Sequence, residues 1–470
     1  MERKLAWDKY DEKALEKVNE LADGYKRFLD AGKTERECVV EAVAQAKAKG
    51  YTDLNEAIAS GKKLQAGDKV YAICMNKAVA LFNIGTKPLS EGMTILGAHI
   101  DSPRLDLKQN PLYEDTGFAL LDTHYYGGVK KYQWVTLPLA IHGVVSKKDG
   151  TNVNVVIGED DNDPVFCITD LLIHLSGKQL EKKAATVIEG EALDLLFASM
   201  PLKEDENESE EEKKEKIKDK VAAHAMKLLT DKYGFEEEDF LSAEFEIVPA
   251  GRARDCGIDA SMVIGYGQDD RVCAYTSLVA MLEVDKVEKT TCCLLVDKEE
   301  IGSVGATGMQ SRFFENTVAE LIDRVEGYND LTYRRCLSNS KMLSSDVSAA
   351  YDPNFGEAFE KKNTAFFGKG MVFNKYTGAR GKSGSNDANA EYFAEIRRIL
   401  GDNDVSFQTA ELGKVDFGGG GTIAYIMALY GMNVIDAGIA VLNMHAPWEI
   451  TSKADLYETK NGYVAFLREA

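Results

Sequence analysis

The chain has 470 residues, of which 77 are acidic and 56 are basic, so its formal net charge is −21. This excess of negative charge argues against nucleic-acid binding, which needs a basic face, and it favours the attraction of cations. No stretch approaches the roughly 20 apolar residues of a membrane span, which argues against a membrane partner. The length predicts roughly two to three domains.

The cysteines and the N-terminal residues bear on the compartment. The eight cysteines are scattered without a C-x-x-C pair, and the adjacent Cys292 and Cys293 would point to opposite faces of a predicted strand. Such cysteines are typical of reduced core residues. The N-terminal sequence MERKLAWDKYDEKALEKVNE is a charged amphipathic helix without a signal-peptide core. We therefore expect a soluble cytoplasmic protein.

In chain order, the first 60 residues are predicted to be helical, because LEKVNELADGYKRFLD and TERECVVEAVAQAKAKG carry apolar residues at helical spacing. From 67 to 108 the pattern indicates strands, including the hairpin-like KVYAICMNKAVALFNIG and then MTILGAHID. Between about 112 and 250, WVTLPLAIHGVVSKKDGTNVNVVIG indicates two strands joined by a Lys-Lys-Asp-Gly turn, and ITDLLIHLSGKQLEKK indicates a helix. The run KEDENESEEEKKEKIKDK is almost wholly charged and is predicted to be solvated and without chemistry.

Beyond about residue 255, predicted strands alternate with predicted helices, the strands being TTCCLLVD, SKMLSSD, VSFQTAEL and NVIDAGIAVLN. This alternation predicts an α/β fold with a mostly parallel sheet and helices on both faces. We expect residues 1–110 and 251–470 to form this discontinuous domain. Residues 111–250 are expected to form an inserted β-rich domain with a charged segment at 203–220.

Histidines and acids recur where predicted strands end, which is where open α/β sheets form their ligand crevices. Five such residues stand out: His99, Asp269, Glu300, Asp346 and His445. Two imidazoles and three carboxylates suit two divalent cations, such as zinc, manganese or cobalt. If one carboxylate bridges the ions, each ion has three protein ligands and one open position for water, which is a catalytic arrangement.

Two further acids have predicted supporting roles. Glu299 precedes the proposed ligand Glu300, and adjacent residues leaving a strand point in opposite directions, so Glu299 could face the water as general base. Asp101 follows His99 by two residues and could hydrogen-bond its imidazole. Taken singly, each residue has an ordinary structural explanation, such as a helix N-cap for Asp269. Their joint occurrence favours the metal site.

The motifs that carry these residues follow one another along nearly the whole chain: GAHIDSPRLDLK, GQDDR, DKEEIGSVGATG, SSDVSAAYDPN, GGGGTIA and NMHAPWE. In this order they resemble the aspartyl aminopeptidase and vacuolar aminopeptidase I family of dinuclear zinc metallopeptidases. The resemblance implies that His99 and Asp346 bind one zinc ion, that Glu300 and His445 bind the other, and that Asp269 bridges them. It implies Glu299 as general base.

The resemblance also has implications for assembly. It implies that the inserted β-rich domain mediates dimerisation and that dimers assemble into a dodecamer. A histidine of the inserted domain from a neighbouring subunit would complete the active site, and ITDLLIHL indicates His174. By its apolar surroundings alone, His174 would instead be a core residue.

Substrate preference is left open by departures from the family pattern. The usual Asp-His-Glu-Glu is Asp-Lys-Glu-Glu here, and KYTGARGKSGSNDANAEY is rich in glycine and lysine. Lys375 and Lys382 could pair with an acidic substrate or be solvated, and Gly419 and Gly420 could let the backbone approach a substrate. We expect an aminopeptidase that acts on peptides with acidic or neutral N-terminal residues. The alternatives are a two-metal deacylase of N-acyl amino acids and a catalytically silent shell protein.

Overall fold

The structure is a computed structural model that describes residues 4–203 and 219–470. It divides into two compact units. The first comprises residues up to Ser102, Ala253–Met444 and Trp448–Ala470, and the second comprises Pro103–Arg252 with His445–Pro447. The division after Ser102, rather than after the predicted residue 110, arises because the strand Arg104–Asp115 pairs wholly within the second unit. Most of the predicted charged segment at 203–220 lies outside the described residues.

The strands fall into three sheets. In chain order they are β1 (Thr52–Asp53), β2 (Lys69–Cys74), β3 (Ala78–Asn83), β4 (Thr94–His99), β5 (Arg104–Asp115), β6 (Phe118–Tyr126), β7 (Leu139–Ser146), β8 (Asn152–Ile157), β9 (Leu195–Ala198), β10 (Ala243–Pro249), β11 (Arg254–Cys256), β12 (Met262–Gly265), β13 (Thr291–Val296), β14 (Lys341–Ser344), β15 (Ser348–Ala349), β16 (Met371–Asn374), β17 (Phe407–Thr409), β18 (Asn433–Gly438), β19 (Ala440–Leu442) and β20 (Glu449–Ser452).

The α-helices of the described residues are α1 (Glu12–Ala31), α2 (Glu35–Ala48), α3 (Leu54–Ser60), α4 (Gly177–Leu180), α5 (Lys220–Tyr233), α6 (Gln268–Glu283), α7 (Phe313–Val325), α8 (Asp330–Asn339), α9 (Ala390–Asp402), α10 (Ala424–Ala428) and α11 (Lys453–Glu469). Local sequence sets their ends. The Thr34 and Glu37 side chains form a reciprocal capping box at the start of α2, which satisfies backbone N–H groups that have no partner inside the helix. None of the described helices is long and apolar enough to span a membrane.

The first unit is built on a nine-stranded mixed sheet in the order β1-β2-β3-β13-β4-β14-β18-β16-β17. Its centre, from β13 through β4 and β14 to β18, is parallel, whereas β3 and β16 run antiparallel to their central neighbours. A smaller sheet of the same unit has the order β11-β12-β20-β19-β15. The predicted α/β fold with a mostly parallel sheet therefore describes this unit.

Helices cover both faces of the nine-stranded sheet because its central strands are apolar on both sides. Leu96 of β4 belongs to a buried cluster with residues of α1, α6 and α11, whereas the adjacent Ile95 belongs to a second cluster with residues of α7 and α10. Successive strand residues point to opposite faces, so a continuous apolar strand needs a core on each side. This double burial fixes the strand ends from which the candidate ligands extend.

The second unit contains an antiparallel six-stranded sheet in the order β8-β7-β10-β5-β6-β9. The two strands predicted around the Lys-Lys-Asp-Gly turn are β7 and β8. The helix predicted for ITDLLIHLSGKQLEKK was wrong over most of its length. The segment has only a 3-10 turn at Ile173–Leu175 and the four-residue α4. Ile173 and Leu175 are exposed, so no apolar face is buried that would stabilise a longer helix.

Asp436 is a buried carboxyl on the central strand β18. Its Oδ1 accepts a hydrogen bond of 2.7 Å from the Thr422 hydroxyl, at the end of the glycine run before α10. Burial raises the pKa of Asp436 to about 7, because the charged form loses its hydration there. The protonated form is therefore favoured in the folded state below about pH 7.

We predict that Asp436→Asn flattens the pH dependence of stability. An aspartate whose pKa is raised on folding contributes stability that is complete below about pH 4 and is lost as the pH rises through about 7, up to roughly 4 kcal/mol. The asparagine variant lacks this loss. Urea unfolding between pH 4 and 8 measures the difference, with the exposed Asp402→Asn as control. Parallel pH profiles for wild type and Asp436→Asn would contradict the prediction.

Candidate metal centre

His99 ends strand β4 and is buried, as are the following residues through Ser102. Its Nδ1 lies 3.0 Å from the backbone oxygen of Asp101 and 3.3 Å from the Asp101 carboxylate. Its Nε2 lies 3.3 Å from Asp269 Oδ1 and 3.9 Å from Glu299 Oε2. One side of the ring is thus held by the turn that follows it, and the other side faces the candidate metal-binding acids. We call residues 99–102 the ligand turn.

The Asp101 carboxylate also fixes the two adjacent acids. Its oxygens accept hydrogen bonds from the backbone N–H groups of Glu299, at 3.1 Å, and Glu300, at 3.2 Å. Both acids lie in the 3-10 turn Glu299–Ile301, which the chain enters through Lys298 in a left-handed conformation, with φ of 68°. The sequence suggested that these acids leave directly from a strand, but they lie in a turn instead. Their backbone is anchored there by a buried carboxylate.

Asp269 is positioned through its backbone. Its N–H donates to Glu449 Oε2 at 3.0 Å, and its carbonyl oxygen accepts from the Ser102 hydroxyl at 2.7 Å. Although it falls within the span of α6, its φ and ψ of −81° and 108° are extended, and the helical cap is Gly267. Asp269 is therefore not the N-cap that its sequence position suggested; its side chain instead points towards His99.

These contacts place four of the five predicted ligands, together with Glu299, in one location. Ligand atoms of His99, Glu299 and Glu300 lie within 4.8 Å of one another, and so do those of His99, Asp269 and Asp346. Asp269 and Glu300 are within the same distance of each other. The two groups share His99, and Asp269 of the second group lies close to Glu300 of the first. Together they could hold more than one cation.

The electrostatics of these side chains fit a cation. Burial lowers the pKa of His99, but hydrogen bonds to Asp101 and Asp269 and the charge of Glu299 outweigh it and raise that pKa well above its usual value. Burial raises the pKa of Asp346 well above its usual range, and neighbouring carboxylates add to the effect. Carboxylates crowded in a buried site repel one another, and a divalent cation would relieve that repulsion. Imidazole nitrogen with carboxylate oxygen is a donor set that zinc accepts.

His445 lies in the short segment that groups with the second unit. Its Nδ1 is 3.0 Å from the carbonyl oxygen of Gly128. A carbonyl can only accept, so this contact requires a proton on Nδ1 and leaves Nε2 as the nitrogen able to bind a metal. Gly128 has no side chain, and a Cβ there would lie 3.1 Å from the His445 Nδ1. The assignment of His445 as a metal ligand stays a prediction.

Three other predicted site residues are exposed. His174 lies in the exposed 3-10 turn of the second unit, not in a core. Lys382 is paired: its Nζ is 3.1 Å from Asp387 and 3.7 Å from the centroid of the Tyr376 ring. Lys375 follows β16, and because β16 runs antiparallel to β18, the chain there leads away from the strand ends that carry the acids. Their contact with substrate stays a prediction.

The two predicted glycines, Gly419 and Gly420, contact Gly378, which lies in the segment between Lys375 and Lys382. The carbonyl oxygen of Gly420 accepts a 2.7 Å hydrogen bond from the Gly378 N–H. A Cβ on Gly419 would lie 2.3 Å from the Gly378 oxygen, and its φ of 132° disfavours other residues. These glycines are thus required for close packing between two chain segments, which is a structural reason for them beside the predicted approach to substrate.

Three polar residues at the site were missed by sequence reasoning. Ser102, Arg271 and Glu449 are all buried and contact the backbone of the ligand-bearing segments. Their one sequence signal is position, because each lies within four residues of a predicted ligand. Nothing in the residue types themselves distinguished them from surface groups.

Comparison with known proteins gives consistent matches over the whole chain. A family model described as aminopeptidase I zinc metalloprotease (M18) matches residues 28–467. The probable M18 family aminopeptidase 1 of Clostridium acetobutylicum is 63% identical over 466 residues, covering 99% of this chain and 98% of that protein. The protein of the same name from Thermotoga maritima is 42% identical over 468 residues, covering 99% of this chain and 98% of that protein.

Solved structures agree with the sequence matches. The crystal structure of aminopeptidase I from Clostridium acetobutylicum has a TM-score of 0.91 at 62% identity, covering 100% of this chain and 99% of that one. An M18 family aminopeptidase from Thermotoga maritima has a TM-score of 0.92 at 41% identity, with full coverage of both chains. The more distant mApe1 dodecamer of S. cerevisiae, at 20% identity and a TM-score of 0.73 over 95% of each chain, shows a common fold alone.

We predict that Asp101→Asn weakens divalent-metal affinity by roughly 10- to 100-fold, the usual cost of losing a group that orients metal ligands. The amide can accept from only one of the two N–H groups, and its NH2 opposes the other. Zinc affinity measured by competition with a chelating dye tests this, with the exposed Asp285→Asn as control. Wild-type affinity in Asp101→Asn would show that the carboxylate does not orient the ligands.

Proposed function

This chain belongs to the M18 family of aminopeptidase I zinc metalloproteases, and from that membership we propose how its residues remove N-terminal amino acids from peptides. The predicted family resemblance, the α/β fold class, the aminopeptidase activity and the use of zinc are thereby confirmed. The observation that carries the residue assignments is the overlap of two potential ligand groups at His99.

We assign two zinc ions to the site. His99 and Asp346 would hold one ion, Glu300 and His445 would hold the other, and Asp269 would lie between them. The closeness of Asp269 to His99 and Asp346 on one side and to Glu300 on the other supports its bridging role. The Asp101 contact to His99 Nδ1 supports Nε2 as the metal-binding nitrogen of that ring.

When bound, paired zinc ions lower the pKa of a water molecule and polarise the carbonyl oxygen of the first peptide bond. Glu299 would supply the proton transfers. Its side chain is 17% exposed, so solvent reaches it, and its backbone is held by Asp101. We propose that its carboxylate accepts a proton from the attacking water and delivers it to the peptide nitrogen as the C–N bond breaks.

We propose that the surrounding acids also select a free α-amine, which is a cation at neutral pH. Among side-chain classes, we propose neutral N-terminal residues as the preferred substrates, since the ammonium of Lys382 is already paired with Asp387. An acidic side chain would have to break that pair or find another cation.

We predict that Glu299→Gln lowers kcat by roughly 10²- to 10⁴-fold, the usual contribution of a general base, while both metals stay bound. Glutamine keeps the size of the side chain but cannot accept the proton. Turnover of an aminoacyl p-nitroanilide and metal content by elemental analysis measure the two effects. The exposed Glu283→Gln is the control. A near-normal kcat in Glu299→Gln would contradict the assignment of Glu299 as the general base.

A substrate panel tests the reaction class. We expect hydrolysis of leucyl and methionyl p-nitroanilides, weaker hydrolysis of glutamyl and aspartyl ones, and none of N-acetylated amino acids. Hydrolysis of the N-acetyl compounds in place of free-amine substrates would favour the two-metal deacylase. Zinc bound without any hydrolysis would favour a silent shell protein.

We further propose a homo-oligomer, by analogy with the mApe1 dodecamer, in which His174 completes the active site of a neighbouring subunit. The exposed position of His174 among exposed apolar residues, including Leu172, Ile173 and Leu175, supports a subunit contact there. A cytoplasmic location is part of the proposal and is supported by eight free cysteines, all within the described residues.

We predict that His174→Phe lowers kcat at least tenfold without loss of metal or of the assembled state, because phenylalanine keeps the ring but not its hydrogen bonds. Kinetics, metal content and light scattering after size exclusion measure the three properties, with His224→Phe as control. Full activity of His174→Phe in an intact oligomer would refute the role.

A further inference from the structure

Arg271 is a fully buried arginine in the first turn of α6. Its Nε donates to the carbonyl oxygen of Ile100 at 3.2 Å, and its Nη2 donates to that of Lys33 at 2.9 Å. The guanidinium carbon lies 5.2 Å from the centroid of the Tyr266 ring. A buried guanidinium costs several kcal/mol of desolvation unless such contacts offset it, so a role that needs a fixed cation would account for its presence.

Arg271 donates a hydrogen bond to Ile100, in the middle of the ligand turn. Ile100 stands between His99 and Asp101, and Arg271 itself follows Asp269 by two residues. In the opposite direction, the Ser102 hydroxyl donates to the carbonyl oxygen of Asp269 at 2.7 Å. Two hydrogen bonds of opposite direction therefore join the ligand turn to the start of α6, which carries the central acid.

The neighbouring backbone leaves room for this side chain. Gly267 has a φ of 71°, and a Cβ at that position would lie 2.1 Å from Arg271 Nη1. Any other residue there would collide with the guanidinium as well as strain the backbone. The Gly-Gln-Asp-Asp-Arg sequence thus combines a glycine that makes space, an acid for the metal and the arginine that occupies the space.

We propose that Arg271 is a positioning residue for the metal centre, which holds the ligand turn and Asp269 at the separation that zinc binding requires. This inference rests on the proposed ligand set. The planar guanidinium binds two carbonyl oxygens from separate chain segments at once, which the single ammonium of a lysine cannot match in geometry. Arg271 thereby acts through His99 and Asp269 without touching substrate.

The test compares Arg271→Lys, Arg271→Met and Arg271→Ala with wild type, and Arg324→Met serves as control. We expect zinc affinity, measured by chelator competition, to fall roughly 10- to 100-fold in the methionine and alanine variants. The value of kcat should fall, whereas KM should change less than about threefold, since substrate contacts are intact. Guanidinium ion added to Arg271→Ala should restore at least part of the zinc affinity.

A merely structural role predicts a different pattern. It lowers the thermal midpoint of the metal-free protein but leaves zinc affinity and kcat of the folded fraction at wild-type values, and that result would overturn the proposal. If the neutral variants do not fold, Arg271→Lys decides, because wild-type zinc affinity there would also overturn it. Failure of all three to fold would assign Arg271 to the core alone. A wild-type protein without zinc binding or hydrolysis would instead contradict the proposed function itself.

Discussion

The candidate metal centre depends on one buried carboxylate, that of Asp101. It contacts the imidazole of His99 and accepts the backbone N–H groups of Glu299 and Glu300. Hydrogen bonds to a charged group contribute about 1.5–3 kcal/mol each, so this carboxylate links the end of β4 firmly to the turn after β13. Because β4 and β13 are adjacent parallel strands, the two ligand-bearing turns emerge side by side, and Asp101 fixes their relative height.

Several carboxylates lie close together around Asp101, which is electrostatically unfavourable without a cation. Asp269 and Asp270 are buried and Asp346 is half-buried in the same region, and loss of hydration raises the pKa of Asp270 and of Asp346 well above their usual range. The surrounding packing holds these groups in place, since the apolar clusters on both faces of the sheet leave the strand ends little freedom. A site organised before the cation arrives needs little rearrangement when it binds.

The sequence predicted the parts of this architecture that depend on periodicity and residue type. Continuous apolar runs indicated the buried strands β4 and β13, and histidines and acids at the strand ends indicated the candidate ligands. The local geometry was less predictable. Glu299 and Glu300 lie in a 3-10 turn, so the argument from alternating strand directions did not apply to them.

Long-range polar contacts were beyond sequence reasoning. Arg271 donates a hydrogen bond to the carbonyl of Ile100, 171 residues away, and Glu449 accepts one from the N–H of Asp269, 180 residues away. Neither residue differs in type from an ordinary surface charge. The segment around His174 was predicted as a helix because it is rich in leucine, but its apolar side chains are exposed. Leucine content indicates apolar surface without stating whether the same chain covers it.

The ligand turn ends at Ser102, and the inserted unit begins at the next residue, Pro103. The described bonds of Ile100, Asp101 and Ser102 to the Glu299–Glu300 turn, Asp269 and Arg271 all lie within the first unit. The chain can therefore depart at Pro103 into a different module without loosening the catalytic framework behind it. Such an exit point would let evolution exchange or remodel the insertion while the residues of the first unit stay unchanged.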